Sequence, residues 1–480
     1  MSSSASNGAP TTTTSKPLAS QATGTKHGTT VYGITASNGR FDIQQTHEHV
    51  FKLWKQQHNG ADSADAATSQ VARAKALLRN STERAADFMW DLFLPKDAKT
   101  SVTKDYFPYV QWYFVGSIAS AATGVLSMQS LLYAIGLGAG SIPTAAAVNW
   151  VLKDGLGQFG GVMFASVVNN RYDADPKRWR TASAVALDAA VLMEILTPLC
   201  PAYFLPIASL ANVAKNISWL SASATRAGFH NSFAMKENLA DVTAKAGSQS
   251  IASSILGTGL GIGLSQITGA STLNVLGAFG VLSAFHLFSI YKSLACVTLR
   301  TLNSQRLHLV ARHFLDNNAQ VPDLETVSQQ EKFMPHLIVG YASLYDRSYV
   351  NMGATLAQLS GSSPDELLRL KEFYANDKYL LNVAFPSSSS KTSARVDVAL
   401  EDDATSKDAL CAQLHAALAQ KALETTSFAD PASAWTLVEQ TYRESRSLRT
   451  EFLERLEQSD WHIENLLVEE QSVRYKWLVY

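Results

Sequence analysis

Two stretches without a single Asp, Glu, Lys or Arg, from Tyr106 to Leu152 and from Ala246 to Tyr291, dictate what this chain can fold into. Each is roughly twice the ~20 residues that a helix needs to cross a bilayer, in a protein that is 17% charged. The whole of 106–291 therefore reads as a polytopic helical membrane domain. Its apolar material divides into six spans, at about 108–135, 142–170, 181–199, 204–222, 247–268 and 272–291.

The connectors test that division independently. GLGAGS (136–141), CPAY (200–203) and GAS (269–271) carry no Lys or Arg. The alternate connectors do: RYDADPKRWR (171–180) holds Arg171, Lys177, Arg178 and Arg180, and 223–246 holds Arg226, Lys236 and Lys245. Basic residues mark the side that stays in the cytosol, so six crossings leave both termini on that face or its organellar equivalent.

Glycines four apart recur at Gly136 and Gly140, at Gly157 and Gly161, and at Gly257 and Gly261 with Gly259 and Gly263. In lipid this spacing lets helix backbones approach closely. Gly155 to Gly160 also spells G-x-G-x-x-G, but no strand precedes it and no acidic residue follows at the ribose-binding distance, so helix packing is the better reading.

Composition narrows function further. Forty basic against 41 acidic side chains in 480 residues give no electrostatic case for a nucleic-acid partner. Cys200, Cys296 and Cys411 lie far apart, which suggests free thiols of a reducing compartment. The first 40 residues hold no acid and many Ser and Thr, the composition of a disordered tail or a weak organelle-targeting segment. No catalytic G-x-S-x-G, H-E-x-x-H or P-loop pattern occurs, so a non-enzymatic protein without cofactor or metal is expected. His47 and His49, two apart on a candidate strand, lack a third ligand nearby.

The flanks are of ordinary soluble type. Residues 31–34 and 40–50 suit short strands, and Val71, Leu77, Leu78, Phe88 and Leu92 suggest an amphipathic helix or helix pair over 64–93. After Tyr291 the sequence predicts helices at 299–317, 362–374 with Ser363 as cap and Pro364 in the first turn, 406–423 and 431–457. Strands are expected at 378–385 and 394–400, with a terminal strand pair turning near Glu470. The fold class is thus mainly α: a polytopic membrane bundle of about six spans followed by a small α+β module. Its divisions are a tail (1–40), an N-terminal region (41–105), a membrane core (106–298) and a cytosolic module (299–480).

Ionisable groups at membrane depth are costly and mark candidate function. Lys153 and Asp154 either line a polar path or mark a break that splits the second span into two helices. Asp188 either faces such a path or is neutralised by a basic residue on another helix, with Arg226 or Lys245 as candidates. Arg226, His230, Asn231 and Lys236 suit an anionic group such as phosphate or carboxylate. Asp241 and Lys245, four apart, suit a pair on one face with Glu237 a turn earlier; the alternative for this whole segment is a solvated interfacial helix.

Several longer blocks carry a resemblance. FLPKDAKTSVTKDYFPYVQWYFVGSIASAATGVLSMQSLL, WVLKDGLGQFGGVMF, DADPKRWR, LTPLCPAYFLPIASLANVAKNISWLSASATRAGFHNSFA and KENLADVTAKAGSQ, in that order, are similar to the root UVB sensitive (RUS) family. TLNSQRLHLV and WHIENLLVEE resemble its downstream part, and the shared domain would cover roughly 85–320. The resemblance implies a membrane-associated eukaryotic protein, linked in plants to root ultraviolet-B sensing, seedling development, auxin transport and vitamin B6 homeostasis. It implies association with itself or with other RUS-type proteins and no established catalytic activity. The expected partners are the lipid bilayer, such family members and a small anionic ligand. Three functions are open: handling or transport of that metabolite, a membrane-anchored scaffold acting through protein partners, or a soluble or peripheral protein whose apolar helices bury one another around a pyridoxal-type ligand.

Overall fold

The computed structural model describes residues 30–36, 39–45, 51–55, 90–135, 144–168, 171–333, 349–384, 395–425, 431–467 and 473–477. The N-terminal tail, most of the expected 64–93 helix, His47, His49, Gly136 and Gly140 lie outside them.

The chain divides into two compact units, 1–92 and 93–480. In the first, β1 (Thr30–Ala36), β2 (Gly39–Gln45) and β3 (Phe51–Lys55) form an antiparallel meander in which Ile43 stands opposite both Tyr32 and Leu53. The two predicted strands are present, and a third follows them.

In the second unit six long helices coincide with the six apolar stretches: α1 (Tyr106–Ala134), α2 (Thr144–Val168), α3 (Pro176–Leu196), α4 (Phe204–Phe233), α5 (Leu239–Thr268) and α6 (Thr272–Ala295). Helix α3 starts where the sequence says it should. Asp175 caps it by accepting from the Arg178 N–H, and Pro176 fills the first position, where no N–H is needed. Helix α2 runs through Lys153 and Asp154 unbroken.

Among the described residues four helices are long and apolar enough to cross a membrane: 106–134, 176–199, 239–268 and 272–295. About six spans is therefore more than composition alone supports. Helices α2 and α4 fall short because they carry Lys153, Asp154 and Gln158, and Asn212, Lys215 and Asn216. These same side chains face the interior cavity described below.

Burial in the bundle is inverted relative to a water-soluble core. Many of the tight interior positions are small: Ala119, Ala122, Ala184, Ala190, Ala208 and Ala211 are at most 2% exposed, alongside Leu126, Ile195, Phe229 and Phe233. Many other large apolar side chains point outward, with Phe159 65%, Ile255 67%, Ile267 80% and Val281 73% exposed. Water would penalise that surface at roughly 25 cal/mol per Å², whereas hydrocarbon does not, and small residues between helices are what lipid-embedded packing favours. Gly257 shows the packing directly, since a Cβ there would sit 2.4 Å from the Ile118 carbonyl oxygen on α1.

The C-terminal module follows. It contains β4 (Thr301–Asn303), α7 (Ser304–Asp316), α8 (Leu324–Gln330), β5 (Tyr349–Met352), α9 (Pro364–Phe373), β6 (Tyr379–Ala384), β7 (Arg395–Glu401), α10 (Ser406–Thr425), α11 (Pro431–Glu457), β8 (His462–Leu467) and β9 (Arg474–Tyr475). Strand β7 is central: β5 lies parallel to it, β6 antiparallel, and β9 extends the sheet at its end. Its Val396, Val398, Ala399 and Leu400 are buried on both faces, and the one charge in the run, Asp397, is buried against Asn351 and Arg395. Helices α10 and α11 close this core with Leu410, Leu414, Leu437 and Phe452. The expected terminal strand pair is corrected here, because β8 pairs in parallel with β4 and β9 with β7.

Module and bundle meet in a buried ion network. Lys177, at the start of α3, donates to Glu331 (2.6 Å) and to Ser328 (3.1 Å), and Arg306 of α7 donates to the other Glu331 oxygen at 2.7 Å. Burial alone would raise the Glu331 carboxyl; the Lys177 and Arg306 charges outweigh it and hold the group below its ordinary value. Asp175 beside it is raised by burial despite Arg178.

Candidate functional site

Helices α1 to α4 line a partly open cavity of about 340 Å³. Lys153, Asp154 and Gln158 of α2, Glu194 of α3 and Asn212, Lys215 and Asn216 of α4 supply its polar wall. Trp150, Trp219, Met128 and Leu131 supply the apolar one. Charged groups in a bundle of this surface must be paired, and each is. Lys153 donates to Asp154 at 2.5 Å and lies 4.8 Å from the Trp150 ring centroid, a cation–π distance. Lys215 and Ser127 both donate to Glu194, which is 1% exposed.

Position follows from close packing of α2 on α4. Gly157 lies against Asn212, where a Cβ would meet the amide nitrogen at 2.5 Å. That approach lets Asn212 donate to the Lys153 carbonyl (3.1 Å) and to Asp154 (3.0 Å), which fixes the carboxylate toward the lysine. Asn216 in turn donates to the Asn212 carbonyl at 2.8 Å. The result is two ion pairs and a set of amides in an otherwise apolar shell, a compartment able to exchange internal partners for those of a small charged molecule.

Of the residues singled out by sequence, the structure brings Lys153 and Asp154 into this chamber. Asp188 lies elsewhere on α3, and its partner is neither Arg226 nor Lys245. Its carboxylate meets the His286 Nδ1 at 2.9 Å and accepts from Ser283 at 2.6 Å. Arg226, His230 and Lys236 do not converge: Arg226 donates to the Tyr113 hydroxyl at 2.7 Å, His230 contacts Thr243 at 3.2 Å, and Lys236 reaches Thr100 at 3.0 Å. Asp241 accepts from the Lys96 N–H at 2.7 Å, and Lys245 stands one turn further along α5. Glu237 precedes that helix in a left-handed turn (φ 52°), not one turn before Asp241 on it. Gly161 faces Asn216, and Gly261 faces Val125.

Sequence reasoning overlooked Lys215, Asn212 and His286. Lys215 was detectable as a lone base inside the 204–222 span. His286 was detectable in the same way, as the one histidine of the charge-free run 246–291. Asn212 carries no such signal, because neutral polar residues in membrane helices are common.

The described residues form a mainly helical bundle, with four helices long and apolar enough to cross a membrane and a charged cleft, followed by an α+β module. Residues 79–318 match the vitamin B6 photo-protection and homoeostasis domain, and residues 341–477 match the C-terminal domain of root UVB sensitive proteins. The chain belongs to the root UVB sensitive family. It is 32% identical over 390 residues to protein root UVB sensitive 2, chloroplastic, of Arabidopsis thaliana, covering 80% of this chain and 84% of that one. Root UVB sensitive 3 of the same plant is 29% identical over 393 residues, 80% and 85% of the two chains. RUS family member 1 of Dictyostelium discoideum is 31% identical over 248 residues, 51% and 47%. The names of these relatives carry no enzymatic activity. No solved structure matches the chain.

Proposed function

We propose that this protein is a multi-pass membrane protein whose six long helices cross the bilayer and whose chamber receives a small anionic metabolite. By analogy with the family's description, that metabolite belongs to vitamin B6 homeostasis. The observation that carries the reading is the placement of Lys153 and Lys215 in one cavity, each held by a carboxylate from which an incoming anion can draw it. Either lysine released from its partner becomes the cation that the ligand meets. Pyridoxal 5′-phosphate uptake by the purified full chain in vesicles tests this: Lys215→Gln lowers it at least tenfold, and unchanged uptake rejects the chamber as the site. Asp188→Asn changes uptake through the bundle and not through the chamber wall.

A second reading is a membrane-anchored scaffold, favoured by the module's self-contained core of Val398, Leu410, Leu414 and Phe452. The two separate in cells lacking the protein. A scaffold survives Lys153→Gln with Lys215→Gln and fails when the Lys177–Glu331 link is cut; a metabolite carrier fails at the lysines.

A further inference from the structure

Asp188 and His286 face each other deep within the bundle, 4% and 2% exposed, on two of the four helices apolar enough for lipid. Asp188 is about 18 Å of helix rise from the start of α3 at 1.5 Å per residue, near the middle of a ~30 Å hydrocarbon layer. The pair does not line the chamber. It is therefore not explained by ligand contact, and at that depth an ionisable pair without a role is a liability.

Its surroundings form a polar seam. Ser283, His286, Ser289 and Ser293 recur at steps of three and four, one face of α6. Ser289 and Ser293 are fully buried, and the Ser289 hydroxyl has no hydrogen-bond partner among the described residues. Gly116 of α1 closes over this face, where a Cβ would come within 3.0 Å of the Ser289 Cβ and 3.8 Å of the His286 ring. Beyond the end of α6, Thr298 donates to Asp105 through both its N–H (2.9 Å) and its hydroxyl (3.0 Å). The second Asp105 oxygen is buried without a partner, and Asp105 borders a cavity of about 770 Å³ between bundle and module. Polar groups thus recur from Asp105 and Thr298, at the module end of the bundle, along one face of α6 to His286 in its middle.

We propose that Asp188 and His286 form a proton-binding site, loaded from the module end along this seam, whose state is coupled to the chamber. A proton from water enters at the Asp105 end and resides on the imidazole opposite the Asp188 carboxylate, giving a pair of zero net charge; its departure leaves one negative charge in the bundle. Coupling runs through α3, which carries Glu194 six residues beyond Asp188, about 9 Å of rise. The other charged groups on the packed helices are accounted for. Helix α1 carries no acidic or basic residue, only tyrosines such as Tyr109 and Tyr113; α3 adds Lys177, Arg178 and Arg180; α4 carries Lys215, Arg226 and His230; α5 carries Asp241 and Lys245 in its first two turns; α6 adds Lys292. Of these, Lys177 and Lys215 hold carboxylates, and Arg180 and Arg226 flank the Tyr113 ring at 5.4 Å. The coupling rests on the chamber as working site; the proton site does not.

The test uses the full chain in nanodiscs with ¹⁵N-labelled histidine. The ring signal missing in His286→Gln converts from the protonated to the deprotonated form on alkalinisation. The emission of Trp150 and Trp219, taken as the difference from a Trp150→Phe, Trp219→Phe variant, changes at the same midpoint. Both changes are lost in Asp188→Asn, while Lys215→Gln keeps the histidine conversion. Should His286→Gln fail to fold, Ser283→Ala identifies the signal by displacing it. A ring signal that never converts while the protein stays folded overturns the proton site. Conversion without any change in the tryptophan difference overturns the coupling alone.

Discussion

Lys177 Nζ lies 2.6 Å from Glu331 Oε2 with both side chains at most 1% exposed, which joins the first turn of an apolar bundle helix to the C-terminal module just after α8. A buried ion pair adds little over an apolar contact, but removal of one partner strands the other charge. With Arg306 on the second oxygen, Glu331→Ala leaves two cations unpaired. The expected loss is about 3–5 kcal/mol of stability, read from thermal unfolding in detergent. Because Glu331 titrates below its ordinary value, its contribution is present above about pH 4.5 and disappears as pH falls through the folded value. Glu331→Gln should flatten that acid limb.

His415 gives the module a second acid sensitivity of the same sign. It sits in the core with Nε2 3.1 Å from the Thr441 hydroxyl, and burial pushes its ring down from 6.5 to about 3. His308 is likewise lowered by burial, helped by Arg312, to about 4. As pH falls below 6.5 the unfolded chain binds protons that the folded one refuses, so stability drops with pH by about 1.4 kcal/mol per unit per histidine. Denaturant titrations between about pH 6 and about 4.5 should show a slope near two protons. His415→Gln should bring it near one.

The fold was legible where a single rule sufficed. Apolar stretches gave the existence of all six long helices, but α3 starts five residues and α5 eight residues before the expected bounds and α4 runs eleven beyond, while Ser363 with Pro364 gave the start of α9. What escaped was set by distant partners. Nothing local in WHIENLLVEE tells that β8 pairs with Thr301–Asn303 and not with its neighbour β9. The site followed the same division. Lys153 and Asp154 stood out because charge is rare in such a span, whereas the partner of Asp188 was sought among lysines and arginines when it is His286, 98 residues away.

Gly257 and Gly259 separate packing from helix propensity. A Cβ at Gly257 would lie 2.4 Å from the Ile118 carbonyl and 2.6 Å from the Ala121 side chain, while one at Gly259 meets nothing within 4 Å. Backbone cannot retract as a side-chain tip can, so Gly257→Val should force α1 and α5 apart. The cost should be at least the roughly 1–3 kcal/mol of an overpacked core. Gly259→Ala should be neutral or slightly stabilising, since alanine is the better helix former. Unfolding in detergent checks the contrast, and equal effects at both positions would remove Gly257 from the helix contact.

Native cysteines can decide the topology without added reporters. Cys200 is exposed in the turn between α3 and α4, at the far end of α3 from Lys177 and the module. Cys411 is buried, and its thiol is pushed up by burial to about 11, which makes it a poor nucleophile at neutral pH. Cys296, half-buried after α6, lies on the module side and is also raised by burial. If α3 and α4 both cross, an impermeant maleimide applied to sealed vesicles with the module inside should label Cys200 readily. Cleavage by a protease added outside should spare the module in the same vesicles. Vesicles of opposite orientation should reverse both results. A Cys200 that labels from the same side on which the module is cleaved would mean that this pair of helices lies on the membrane and does not cross it, and the six-span arrangement would fall with it.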